Sequence, residues 1–190
     1  IEHGKPSLTT EYEVGAGIQL SNRLVKGRGH ALKLPVIDIA EVGAGGGSIV
    51  RVDPGGSLRV GPQSAGAKPG PACYRQGGTD ATVTDANVVL GYINPTSIAG
   101  GTVSVNSEAA KQALDSSAAE HLELETNDAA YGVYAVANTT MIRAIKSVTT
   151  YRGRDPREFT LMAFGGSGPL HAAEMARSLG IRQIIVPASP

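Results

Sequence analysis

Tryptophan is absent from this chain, cysteine occurs once and phenylalanine only twice. The lone Cys73 can close no internal disulfide, and an unpaired thiol fits a reducing compartment, so a cytoplasmic location is expected. Lys+Arg and Asp+Glu balance at 17 each, which removes the electrostatic case for nucleic acid or an anionic membrane surface. No apolar run approaches the ~20 residues of a membrane-crossing helix. Ile1 to Thr10 lacks the charged-then-apolar pattern of a signal peptide. Glycine, by contrast, is plentiful: 25 residues, beside 11 prolines. The densest stretch, GPQSAGAKPGPACYRQGG from Gly61 to Gly78, cannot be regular helix or sheet, because Gly weakens both and Pro69 and Pro71 lack the N–H a ladder needs. Loops of this kind lie on surfaces and often carry function.

The pattern along the chain predicts an α/β protein with a β-rich first half, about 1–80, and a helical plus βαβ second half, about 107–190. Val36–Ala40, Ser48–Val52 and Ser57–Val60 read as strands, with Asp53-Pro54-Gly55-Gly56 as a hairpin turn. Residues 79–106 are expected to form a hinge. A helix is predicted over Glu108–Leu122, capped by Ser107, and a longer one capped by Asn127. Ala130, Val133, Ala137, Met141, Ala144 and Val148 recur at spacings of three and four as its buried stripe. Gly153 and Asp155-Pro156 stop it. Phe159–Phe164, the Gly165-Gly166-Ser167-Gly168 turn, a helix over Pro169–Leu179 and Arg182–Val186 form a strand–turn–helix–strand unit, with a parallel strand pair as the expected outcome.

Two glycine turns are candidates for binding. Gly165, Gly166 and Ser167 leave a strand and open a helix, where bare backbone and unpaired N–H groups suit anionic or electron-rich ligands. Gly166 is expected to need φ > 0 or a close approach of backbone. The turn is neither a P-loop nor a dinucleotide fingerprint: no GK[ST] follows, and His171 stands where a third glycine would fall. The second candidate, Gly45, Gly46, Gly47 and Ser48, can offer consecutive N–H groups as an anion nest. A β-bulge or hairpin is the alternative there.

Asp85, in Thr82-Val-Thr-Asp-Ala-Asn87, is the candidate catalytic carboxylate. It could orient a water, meet a metal-bridged phosphate, or simply cap the helix that follows. Asp38 faces either a cleft or solvent. Cys73 has no base near it in sequence to activate it, so a buried structural role is expected. His171 could bond a ligand or be satisfied in the core. No metal ligands are assigned, since the histidines and Cys73 lack metal-site spacing. A GxSxG elbow is excluded by Pro62 and Pro169.

Four words, VGAGGGS (Val42–Ser48), GPQSAGAKPGPACY (Gly61–Tyr74), TVTDAN (Thr82–Asn87) and FGGSGPLHA (Phe164–Ala172), together resemble the A-type subunit of the hydantoinase/oxoprolinase family. That group is exemplified by N-methylhydantoinase A and 5-oxoprolinase and is related to the acetone carboxylase beta subunit. The resemblance implies a fragment of an actin-like ATPase fold, of the kind shared by acetate and sugar kinases, Hsp70 and actin. It further implies ATP and Mg²⁺, used to phosphorylate the carbonyl of a small cyclic amide such as a hydantoin or 5-oxoproline. A B-type partner subunit or domain would complete hydrolysis. By the same resemblance Gly165, Gly166 and Ser167 contact the adenosine end, and Gly45–Ser48 form backbone of the active cleft. Two Gly-Gly-Thr phosphate loops belong upstream in the family, and no Gly-Gly-Thr precedes Val42 in this sequence, so a piece of a longer chain, inactive by itself, is expected. Arg75-Gln76 stands where the family usually has Gly-Arg, and Ala81 where Pro is common. A ketone carboxylase subunit and a non-catalytic nucleotide- or partner-binding domain are the rival expectations.

Overall fold

The computed structural model describes residues 4–6, 8–9, 12–14, 30–32, 34–37 and 39–188. Asp38, within the expected strand Val36–Ala40, lies outside the described residues. The opening segment contributes β1 (Leu8–Thr9), β2 (Tyr12–Val14), β3 (His30–Leu32) and β4 (Val36–Ile37), paired antiparallel as β1 with β4 and β2 with β3. The expected strand over Val36–Ala40 is thus present only at Val36–Ile37.

Ser48–Val52 forms β5 and Leu58–Ser64 forms β6, an antiparallel hairpin. The turn between them closes because the Asp53 carboxylate accepts from the Gly55 and Ser57 N–H groups while the Asp53 carbonyl accepts from Gly56. A register shift between Ser48 and Val50 kinks the hairpin just after the first glycine turn, the bulge geometry an extra residue imposes.

The segment expected to be a hinge instead carries the most buried helix. In α1, Val83–Val89, every residue from Val83 to Val88 is buried. Half of the run Val-Thr-Asp-Ala-Asn-Val is polar, and the helix can sit inside because Thr84, Asp85 and Asn87 each find a hydrogen-bond partner there. After a short hairpin of β7 (Ser97–Ile98) and β8 (Val103–Ser104), helix α2 spans Ser107–Leu114. Its cap is Asn106, whose side chain accepts from Ala109 N at 2.7 Å. Asn caps as well as Ser, and it comes one residue earlier than the predicted Ser107. A π-helical turn over Asp115–Ala119 leads into α3, Glu120–Leu122. Helix α4 covers Thr126–Val148 and starts without a side-chain cap. Asn127 therefore lies inside the first turn, and the Thr126 hydroxyl instead donates to Asp115 at 2.6 Å.

Ala130, Val133 and Ala137 of the predicted stripe are buried, while Met141, Ala144 and Val148 are half-buried. The main core is unusually poor in large side chains. Val50 and Val60 of the hairpin meet Val83 and Ala86 of α1, Leu114 of α2 and Ala129, Val133 and Ala137 of α4. Alanine at these contacts lets three helices and a hairpin approach closely.

The last unit matches its prediction in type. β9 (Leu161–Met162) and β10 (Ile184–Ile185) are parallel neighbours, and α5 (Gly168–Leu179) connects them. Pro169 occupies the first turn of α5, and Gly180 ends it at φ 70°. The paired strands are shorter than the apolar runs that contain them. Ala176, Leu179 and Ile181, with Leu161 of β9, pack this unit on Ile142 and Ile145 of α4.

Candidate functional site

The two glycine turns, more than a hundred residues apart in sequence, come together. A Cβ placed on Gly46 would lie 3.4 Å from Ser167 Oγ and 2.8 Å from Thr84 Oγ1. Gly46 therefore has to be glycine because of what stands beside it, and its neighbours are one residue from the other turn and one from α1.

Each carbonyl of the Gly45–Gly47 turn is held by a donor. Gly45 O accepts from Ser48 N at 3.0 Å, Gly47 O from Ala65 N at 2.9 Å, and Gly46 O from both the N–H and the hydroxyl of Thr84 at 2.9 Å. Ser48 Oγ takes the Gly45 N–H at 3.0 Å. Among the described residues no acceptor takes the Gly46 or Gly47 N–H. The same holds on the facing turn for the N–H groups of Gly166, Ser167 and Gly168. Two short runs of uncommitted backbone donors thus lie on turns that approach each other at Gly46 and Ser167. Such an arrangement can receive an anion or an electron-rich group.

The backbone here is bare. A Cβ at Gly45, Gly165, Gly166 or Gly168 would meet nothing within 4 Å. The demand for positive φ falls on Gly165, at φ 82°, and not on Gly166, where φ > 0 or a close approach was expected. The left-handed residue is thus the third after β9, and Gly166 lies outside the left-handed region with open space around it.

Asp85 takes the cap from among its possible roles. It is fully buried, and its carboxylate accepts from Thr82 N and Thr82 Oγ1 at 2.8 Å, Cys73 N at 2.8 Å and Ala72 N at 3.3 Å. With Thr82 it forms a reciprocal capping box at the start of α1. It also ties the Gly/Pro loop to that helix. Four donors around two oxygens leave little for a water or a metal ion.

The expectation that Gly61–Gly78 forms no regular sheet fails at its start, where Gly61–Ser64 continues β6 past the expected end at Val60; the remainder, 65–78, is a brace. Ala65 holds Gly47, Ala72 and Cys73 hold Asp85, and the Cys73 carbonyl accepts from Asn106 at 2.9 Å. A Cβ on Gly78 would run into the Gly70 carbonyl, so the loop can close only with glycine there. Cys73 is fully buried. Burial first, and the Asp85 carboxylate beside it second, push its thiol well above the usual range. That is the opposite of what an activated nucleophile requires, and it agrees with the structural role expected.

His171 is completely buried one turn into α5. Its Nδ1 lies 2.8 Å from Asn138 Oδ1 and its Nε2 lies 3.4 Å from Asn87 Nδ2. The ring stacks on Tyr134, with centroids 5.0 Å apart. Burial lowers its pKa, favouring the neutral ring. Nδ1–H then donates to Asn138 while Nε2 accepts from Asn87. Asn87 and Asn138 were not singled out from sequence. TVTDAN ends on one of them, and an Asn in the apolar pattern of α4 was the available signal for the other.

These features coincide with a family. The hydantoinase/oxoprolinase family model matches residues 1–190, and the chain belongs to this family. An uncharacterized protein of Methanocaldococcus jannaschii is 46% identical over 189 residues, covering 100% of this chain and 27% of that protein. The crystal structure of the ATP-dependent caprolactamase from Pseudomonas jessenii is similar at 41% identity and a TM-score of 0.78, over 83% of this chain and 23% of that one. A nucleotide-free acetone carboxylase structure is similar at 32% identity and a TM-score of 0.74, over 84% of this chain and 22% of that one. The chain spans about a quarter of the length of these relatives. Its mixed α/β fold is theirs over the matched part, and among the described residues no helix is long and apolar enough to cross a membrane.

Proposed function

We propose that this chain supplies one nucleotide-binding wall of an ATP-dependent enzyme that activates and opens a small cyclic amide, a hydantoin or a 5-oxoproline-like lactam. It acts with a B-type partner subunit or domain, in the cytoplasm, and its βαβ unit is the adenosine-side element of an actin-like ATPase fold. The observation that carries this reading is the meeting of Gly46 with Ser167. It brings two sets of uncommitted backbone donors and four bare glycines to one place, which suits a nucleotide approached by main chain. The similarity to an ATP-dependent caprolactamase supports both the nucleotide and the lactam.

Within the site, Gly165, Gly166 and Ser167 would face the adenosine end, and Gly45–Ser48 would offer N–H groups to a more anionic part. Phosphoryl transfer draws its catalysis from positioning and charge stabilisation, and backbone donors provide part of that. The residues at the turns do not form a fit for Mg²⁺, because Asp85 is buried and already engaged by four donors. We therefore assign Asp85 a supporting part and derive no step through a metal ion here.

The test is phosphate release by the full-length protein with its partner, challenged with hydantoins, 5-oxoproline, larger lactams and simple ketones. Stimulation by a cyclic amide without bicarbonate is the expected result. Stimulation by a ketone that needs bicarbonate would favour the carboxylase branch, which the acetone carboxylase match supports. Nucleotide binding with no stimulation by any of them would make this a binding domain. Residues 1–190 alone are expected to release no phosphate, since transfer needs groups placed on both sides of the phosphates.

A further inference from the structure

We infer that His171 is a positioning residue that, through Asn87, fixes the gap between the two glycine turns. The geometry is a closed path through α1. Thr84 of that helix holds the Gly46 carbonyl, and three residues on, Asn87 meets His171 of α5 at 3.4 Å. Ser167, at the head of α5, is the residue that Gly46 faces. A second tie keeps α5 from sliding: His171 bonds Asn138 of α4 at 2.8 Å, and the Tyr134 hydroxyl of α4 donates to the Leu170 carbonyl at 3.2 Å. The head of α5 is thus bonded to both of the helices it lies against.

The network is poorly arranged for stability alone. Among the described residues Asn87 Oδ1 is buried without a partner, and a buried polar atom left unpaired is costly. Apolar side chains of similar volume would fill this place at less cost. What they could not do is fix direction. Hydrogen bonds set the rotation and height of α5 on α1, whereas apolar contacts tolerate sliding. A shift of an ångström at His171 is passed to Ser167 within the same helical turn. The inference rests on the proposed function only for its consequence for ATP.

The experiment uses the full-length protein with three variants, His171→Phe, His171→Gln and Asn87→Ala. Phe keeps the ring on Tyr134 and removes both hydrogen bonds, and Gln keeps a donor and an acceptor. Amide hydrogen exchange over residues 43–50, on the wall that His171 does not touch, is read beside ATP affinity and thermal stability. His171→Phe and Asn87→Ala should speed exchange over 43–50 about tenfold and weaken ATP binding by a similar factor, with His171→Gln near the parent. Faster exchange with unchanged ATP affinity supports the coupling and removes the nucleotide from this site. Exchange altered only within residues 168–179 overturns the inference. So does failure of both His171→Phe and Asn87→Ala to fold, because the network would then be a support of the core.

Discussion

Thr84 holds Gly46 twice, since its backbone N–H and its hydroxyl both donate to the one carbonyl at 2.9 Å. The hydroxyl that secures the turn is also the atom that forbids a side chain on it, as a Cβ at Gly46 would lie 2.8 Å away. Gly46→Ala should therefore cost about 1–3 kcal/mol by overpacking, and Thr84→Ala about 1 kcal/mol for the lost bond. The double variant should be better than their sum by at least about 0.5 kcal/mol, because removing Oγ1 relieves the clash. Denaturation midpoints of the four proteins give the coupling, and strict additivity would place Gly46 away from Thr84.

Gly165 and Gly166 separate strain from binding. Gly165 sits at φ 82° in open space, so Gly165→Ala should cost about 1–2 kcal/mol from backbone conformation alone. Gly166 has neither that φ nor a near neighbour, so Gly166→Val should change stability by less than about 0.5 kcal/mol. If adenosine lies against this turn, the same Gly166→Val should still weaken ATP binding tenfold or more. Calorimetric titration of a folded Gly166→Val protein with unchanged affinity would move the adenosine elsewhere.

The sequence was most legible where a local signal decided the outcome. The Asp53–Gly56 turn, the Pro169 start and Gly180 stop of α5, and the parallel pairing of β9 with β10 all follow from residues within a few positions of each other. It was least legible where the decision was tertiary. Residues 79–106 read as a hinge because they are short of periodic apolar residues, yet α1 is buried on all sides and its polar side chains find partners in three other segments. Both glycine turns were visible, but no spacing could announce that Gly46 would meet Ser167. Asp85 reads equally well from sequence as a chemical group and as a cap, and the structure gives it the cap and four donors. Arg75 adopts φ 53°, a left-handed backbone that suits glycine, at the place where the family usually has glycine, so the departure noted in sequence lies in the side chain and not in the backbone.

Asp85→Asn tests the supporting role. The amide keeps one oxygen and turns an NH₂ toward N–H groups that are themselves donors. At least one buried donor loses its partner, which costs about 1–3 kcal/mol, and the charge that strengthened the remaining bonds is gone. A fall in melting temperature is expected, with the folded fraction keeping its substrate-stimulated ATP hydrolysis within about tenfold. A variant as stable as the parent but without turnover would restore Asp85 to the reacting centre.

The pH dependence of the α4–α5 contact follows from His171. Burial holds its folded pKa below the ordinary value of 6.5, so the folded chain binds fewer protons at this site than the unfolded one. The groups facing the ring are Asn87 from α1 and Asn138 and Tyr134 from α4. None of these supplies a negative charge near neutral pH to offset the burial. The sign is then fixed: the contribution is intact above pH 6.5 and is lost as pH falls from there toward the folded pKa, by at most about 1.4 kcal/mol per unit. Local opening of α4 and α5, read by hydrogen exchange across this range and corrected for intrinsic rates, should become easier below pH 6.5. In His171→Phe that slope should vanish while any component from other groups remains. Parallel profiles for parent and variant would show that His171 does not titrate on opening, and would require the ring to stay enclosed when the contact breaks.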